Sequence, residues 1–228
     1  MSDKIKIGKY KLHEDGWWWP ETAREKDLVY YKKKNRSLQF ILKLAEDGII
    51  KSRSVIQGGG CYGLWPKMLS KVFDTVYTYE PESETFYGLC LNCPEENIIK
   101  LNAAMGHKRR GVTVKKKGFA SHYVIGTSTA ANALQYPIDN LEVLNCDALI
   151  MDIEGYEYYA IQGARETINL CRPVVLVEDN GLYEKFHGLD RRHGTGCVDK
   201  LLRKQGYKLV ESIEHDKIYF PEELEWKN

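Results

Sequence analysis

Apolar, β-rich runs recur along the chain at "SVIQ" (54–57), "TVYTYE" (75–80), "NIIKLNAAM" (97–105), "ALIMDI" (148–153) and "PVVLVE" (173–178). Their unbroken apolar character predicts parallel strands buried on both faces. Between them the apolar positions recur with helical spacing over 64–73, 83–93 and 156–171, and further helices are expected at about 35–47 and 196–205, each closed by a glycine, Gly48 and Gly206. Strands alternating with helices predict a doubly wound sheet. The alternation ends at "YKLVESI" (207–213) and "DKIYF" (216–220), two strand-like runs separated by two polar residues, which is a hairpin pattern. The fold class expected is therefore α/β: a Rossmann-like, seven-stranded, mostly parallel sheet with a C-terminal antiparallel hairpin and helices on both faces. The stretch 107–147 reads as an insertion with strands of its own.

A chain of 228 residues with 43% hydrophobic content is long enough for one full core. We expect residues 1–50 to form an arm and helix packed on a 51–228 core, one globular unit overall. With 33 basic against 32 acidic side chains, no global field recruits nucleic acid or anionic lipid, so neither nucleic acid nor membrane is an expected partner. No run reaches the length of a membrane span, and "MSDKIKIGKYK" lacks the apolar core of a signal peptide, so the expectation is a soluble, cytoplasmic protein. The six cysteines are scattered, and the lone CxxC of Cys90 and Cys93 has no second pair at zinc spacing, so reduced thiols on a helix are expected.

The chemistry gathers at "VIQGGGCYGL". Gly58, Gly60 and Gly63 satisfy the GxGxxG dinucleotide fingerprint, while Gly59 and Gly63 satisfy the looser GxxxG of loops that hold S-adenosylmethionine. Both ligands want an acid at the end of the second strand to accept from ribose hydroxyls, and Glu80 in "YEP" stands there. Chain anatomy favours the methyl donor, because the segment after the fourth strand completes the same sheet and leaves no separate substrate domain for a nicotinamide enzyme.

"VIQGGGCYG", "VYTYEPESETFYGLCLN", "IIKLNAAMG", "IDNLEVLNCDALIMDIEGYEYYAIQGARETI" and "RPVVLVE" together resemble the successive motifs of the FkbM-type methyltransferases, over about residues 54–178. The resemblance implies a seven-stranded fold using S-adenosylmethionine, typically for O-methylation of a sugar, glycan or small-molecule hydroxyl. It implies donor contacts from Gln57, Gly58, Gly59, Gly60, Cys61, Gly63, Glu80, Pro81, Asn102, Ala103 and Asp152. The chain has Gln57 where the family usually has an acid, and Ile150 where it often has lysine; the Gln57 carbonyl can still accept a hydrogen bond.

In an open α/β sheet, ligands sit beyond the carboxyl ends of the strands. Asp152 and Glu154 leave the fourth strand there, and Glu178, Asp179 and Asn180 leave the fifth. Asp152, with Glu154 and His122 as further candidates, is expected to take the proton that an attacking hydroxyl loses; the plainer use of Asp152 and Glu154 is to bond the backbone opening the next helix. Asp152, Asp179 and Asn180 also offer oxygens to a magnesium ion, a less favoured use, and no metal ligand is assigned. "DGWWWPE" (15–21) is a candidate lid, since three successive tryptophans cannot all face a core. The basic runs at 32–34, 108–110 and 115–117 read as solvated faces unless clustering gives them an anionic acceptor. The rival functions are an NAD(P)-dependent oxidoreductase and a degenerate nucleoside-binding scaffold.

Overall fold

The computed structural model describes residues 5–33, 36–116, 118, 122–126, 130–179 and 196–226. Its centre is a seven-stranded sheet. In chain order its strands are β4 (Ser54–Gly58), β5 (Thr75–Tyr79), β6 (Ile98–Leu101), β11 (Cys146–Met151), β12 (Val174–Glu178), β13 (Tyr207–Ile213) and β14 (Asp216–Pro221). Their order in space is β13-β14-β12-β11-β4-β5-β6. The five strands from β12 to β6 run parallel, and the terminal hairpin adds two antiparallel members, as the sequence pattern predicts.

Alternate residues of the central strands feed two cores, which is why they read as unbroken apolar runs. Ile56, Leu149, Met151, Val175 and Val177 pack to one side. Val55, Val76, Ala148, Ile150 and Leu176 pack to the other. Helices α2 (Arg36–Glu46) and α3 (Leu64–Leu69) cover the second face; α5 (Glu157–Gln162), α6 (Arg165–Cys171) and α7 (Cys197–Arg203) cover the first. Helix α4 (Ser83–Asn92) follows β5. No helix among the described residues is long and apolar enough to cross a membrane.

Three expectations change. The run 97–105 is two strands: Asn102 leaves the sheet to donate from Nδ2 to the Glu80 carbonyl at 2.9 Å, and β7 (Ala103–Met105) joins another sheet. That sheet has the order β7-β10-β8-β9, with β8 (Arg110–Lys116), β9 (His122–Gly126) and β10 (Ala133–Tyr136), and is the insertion expected at 107–147. The helix expected over 156–171 is broken at Gly163, where a Cβ would overlap the Gly106 carbonyl; Asp139 then caps α6, accepting from Glu166 N and Thr167 N. The tryptophan stretch is no loose lid. Within the small sheet of β1 (Lys6–Ile7), β2 (Tyr10–Leu12) and β3 (Trp18–Pro20), Trp19 is fully buried edge-on to Tyr62, and Asn92 at the end of α4 exchanges hydrogen bonds with the Trp18 backbone. Helix α1 (Glu25–Lys33) follows this arm.

Candidate functional site

The register of the parallel strands builds the site. Met151 pairs with Gly58, Gly58 with Tyr79, and Tyr79 with Leu101. The next residue of each strand, Asp152, Gly59, Glu80 and Asn102, therefore lines one rim about 14 Å long, three strand spacings. Strand order reverses between β4 and β11, so Gly59 and Asp152 flank the topological switch point, where such sheets bind ligands.

The contacts along this rim are backbone contacts. Gly59 N and Gly60 N both donate to the Tyr79 carbonyl, at 3.1 and 2.8 Å, and Asp152 N donates to the Gly58 carbonyl at 3.3 Å. Gly59 has φ +82° and a Cβ there would overlap the Asp152 carbonyl oxygen, so glycine is what allows β4 and β11 to close. Cys61 follows with φ +47°.

Glu80 is the hinge of the arrangement. One carboxylate oxygen accepts from Cys61 N and the other from Glu82 N, each at 2.9 Å, which fastens the glycine loop to the turn into α4. The cap of α4 is Glu82, which accepts from Glu84 N and Thr85 N. Glu80 is only 3% exposed, and burial pushes its pKa up to about 7 against the pull of the two amides. Beside it Pro81 is half-buried, Asn102 exposed and Ala103 buried.

The Gln57 side chain does not reach the rim. Fully buried, its Nε2 donates to the Gly58 carbonyl at 2.7 Å and its Oε1 accepts from Thr78 Oγ1 at 2.6 Å. Ile150 is its cross-strand partner. The two departures from the family pattern are thus neighbours on one buried face, and replacing both leaves no uncompensated charge inside the sheet.

Asp152 on the rim and Glu154 just past it are half-buried, with Glu154 at φ +57°. A carboxylate that bonds the backbone before α5 is Glu157, which strand-end position does not single out although acids favour a first helical turn. It accepts from Ile153 N at 3.1 Å and Gly155 N at 3.2 Å, is 3% exposed, and burial pushes its pKa up to about 8. Because the folded value lies above the ordinary carboxyl value of 4.5, the native state holds a proton the unfolded chain has released, and stability falls as pH rises from about 4.5 to 8. Glu157→Gln keeps the accepting oxygen; chemical denaturation at pH 5 and pH 8 should show the variant losing less stability than the wild type, by of order 2 kcal/mol. Equal losses would refute this role for Glu157.

Of the remaining candidates, Glu178 follows Val177, the partner of Met151, and so stands level with Asp152, with Asp179 next to it. Asp179 pairs with Lys217 of the hairpin, Glu178 is buried at the end of β12, and Asn180 lies outside the described residues. No cluster of three or more His, Cys, Asp or Glu able to hold a metal is found among the described residues. His122 opens β9 at the far edge of the insertion sheet, paired with Lys116; its side chain lies outside the described residues, as do Lys34 and Lys117. Cys90 lies in α4 but Cys93 lies just beyond it, buried, with Sγ donating to the Gly63 carbonyl at 3.3 Å, and none of the six cysteines is in a disulfide.

The insertion sheet packs onto this end of the molecule. Ala104, Val112 and Val114 bury Tyr156, the residue after Gly155, with Ile153 and Tyr159 beside them. Tyr156 donates its hydroxyl to Gln135 Oε1 at 2.9 Å and accepts from Arg110 Nη2 at 3.3 Å.

Known proteins place this rim in context. The profile of the methyltransferase FkbM domain matches residues 67–209. No curated protein matches the sequence. Among solved structures, the chain superposes on the methyltransferase FkbM from Methylobacillus flagellatus KT with a TM-score of 0.51 at 17% identity, over 74% of this chain and 43% of that one. The chain thus spans less than half of that protein, and the likeness shows a shared fold. Magnesium protoporphyrin IX methyltransferase from Synechocystis PCC 6803, with bound SAM, gives a TM-score of 0.48 at 12% identity over 85% and 80% of the two chains. The N-methyltransferase NodS from Bradyrhizobium japonicum WM9, in complex with S-adenosyl-L-homocysteine, gives 0.47 at 11% over 83% and 85%.

Proposed function

The chain belongs to the FkbM methyltransferase family, and from that premise we propose that it transfers a methyl group from S-adenosylmethionine to a hydroxyl of a sugar, glycan or small molecule. The observation that carries the reading is the rim itself: a glycine loop closed on Asp152 at the switch point, and a buried carboxylate, Glu80, clamping that loop from the end of the next strand. A nucleoside donor fits these residues. Gly59 and Gly60 let the loop close tightly on Asp152, Thr78 and Leu89, the kind of glycine turn that holds such donors, Glu80 stands where ribose hydroxyls are recognised, and Asn102 is exposed at the next strand end. The bound donor would supply an electrophilic methyl on a sulfonium, whose departure needs no acid.

What this chain must add is alignment and a proton acceptor. Asp152, half-buried just past the end of β11, would take the hydroxyl proton as the oxygen attacks. The insertion sheet, anchored on Tyr156 four residues later, would exclude water and shape the acceptor side.

Calorimetric titration of S-adenosylmethionine and S-adenosylhomocysteine into the purified protein, with NADH as comparator, tests the reading. Micromolar, one-to-one binding of both sulfur ligands and none of NADH is the expected result. Retention of NADH with no heat from either sulfur ligand would overturn it.

A further inference from the structure

The chain as a whole is nearly neutral, but its charge is unevenly placed. From Ala103 to Ile138 there is no Asp or Glu, while Lys108, Arg109, Arg110, Lys115, Lys116 and Lys117 all fall in this stretch. All four strands of the insertion sheet lie inside it, so one module packed against the rim is wholly cationic.

The topology concentrates the described cations at the two ends of β8. At its start Lys108 and Arg109 are exposed and Arg110 is half-buried against Tyr156; at its end Lys115 and Lys116 are exposed. Between them Val112 and Val114 are buried on Tyr156, and the alternation of the strand puts Lys116 on that same face. Leu134 of β10 pairs with both Ala103 and Gly111, so the rest of β8 runs on past the level of Ala103, the residue after Asn102, which sets this end of β8 toward the donor rim. The other end stands beside Tyr156, just beyond the Asp152 loop. Six residues of strand separate Arg110 from Lys116, about 20 Å, more than one small anion spans.

We infer that the insertion sheet is the acceptor-binding surface and that the acceptor is an extended glycan carrying several anionic groups, held along β8 with its reactive hydroxyl turned to Asp152. Glycan binding rests on charge and topology alone; methylation of the bound glycan rests on the function proposed above. A polyanionic carbohydrate fits better than single-stranded nucleic acid, which needs aromatic faces for its bases. Among the described side chains of the insertion the aromatic rings are His107, which stacks on Tyr159, and Tyr136, over which the Arg109 guanidinium lies 5.9 Å from the centroid.

The test titrates four probes into the intact protein: a heparin hexasaccharide (sulfate and carboxylate), hexagalacturonate (carboxylate alone), maltohexaose (neutral) and an eight-nucleotide single-stranded DNA. The expected result is binding of one or both anionic hexasaccharides, no binding of maltohexaose, and weaker binding of the oligonucleotide. Which anionic probe binds more tightly tells sulfate from carboxylate recognition. Lys115→Gln/Lys116→Gln should weaken glycan binding roughly tenfold, as should a rise from 50 to about 300 mM salt, because exposed ion contacts are screened. The control Lys51→Gln/Lys71→Gln removes two exposed lysines at the amino ends of the strands and should change nothing. Equal binding of maltohexaose, tighter binding of the oligonucleotide, or equal loss in both double variants would overturn the inference. S-adenosylhomocysteine titrated separately reads the donor site: glycan binding without it removes the methyl transfer and leaves the glycan surface, while the reverse removes the glycan surface alone.

Discussion

Gly59→Ala should lower stability by about 3 kcal/mol or more and abolish binding of S-adenosylhomocysteine. Two costs add at this position. The left-handed backbone, φ +82°, costs an L-residue about 1–2 kcal/mol. The new Cβ also overlaps the Asp152 carbonyl oxygen, a backbone atom that cannot rotate away because β11 is locked in register with β4 through Met151 and Gly58. Relief requires the two strand ends to part, which breaks the Asp152 N to Gly58 O bond and opens the switch point. Two comparisons isolate these terms. Gly48 has φ +70° with nothing near its missing Cβ, so Gly48→Ala reads the backbone term alone, about 1–2 kcal/mol, and leaves ligand binding intact. Gly60→Ala meets Leu89 Cδ1 and Thr78 Oγ1, side-chain ends that can shift, and should fall between. Urea unfolding of the three variants gives the ordering; Gly59→Ala no less stable than Gly48→Ala would show that the strand ends are not held as described.

Contacts of this kind, between backbones far apart in the chain, are what sequence patterns do not carry. The central strands are legible because burial on both faces leaves a continuous apolar run, and the terminal hairpin because only Glu214 and His215 separate two strand-like stretches. The break at Gly163 is not legible, since its cause is the Gly106 backbone more than fifty residues away in the chain. Nor is the split at Asn102, whose amide serves the Glu80 carbonyl. The arm shows no pattern because its strands are two or three residues long, too short for a period to emerge.

Within the site, the position of Glu80 can be read from its place after a strand, but not that both its oxygens are taken by backbone amides. Gln57 stands at the right height on β4, yet strand alternation turns its amide into the sheet, toward Thr78. Glu157 is hidden for a related reason: Asp152 and Glu154 stand nearer the strand end, and it is the path of the turn that brings the Ile153 and Gly155 amides to a carboxylate in the following helix.

Glu80 should make donor binding and fold stability respond to pH in opposite directions. Its pKa of about 7 lies above the ordinary 4.5, so the folded protein holds a proton there that the unfolded chain gives up. This contribution to stability is complete below about pH 4.5 and is lost as pH rises through 7. Donor binding runs the other way, because the ionised carboxylate keeps a second acceptor site on each oxygen, beside those used by Cys61 N and Glu82 N, to offer a diol, and protonation removes one of these sites and the charge. Between pH 8 and 5.5 the wild-type protein should gain stability while its affinity for S-adenosylhomocysteine falls, by up to about tenfold per pH unit below 7. Glu80→Gln presents an NH2 group to one of the two amides; it should bind the ligand at least about a hundredfold more weakly, with an affinity that no longer follows pH. Glu80→Ala leaves both amides without their acceptor and should also cost about 2–5 kcal/mol of stability. Calorimetry across the pH series, with denaturation in the same buffers, separates the effects. A wild-type affinity that is flat from pH 8 to 5.5, or a Glu80→Gln affinity that follows pH as the wild type does, would remove Glu80 from the donor site and leave it a clamp between the glycine loop and α4.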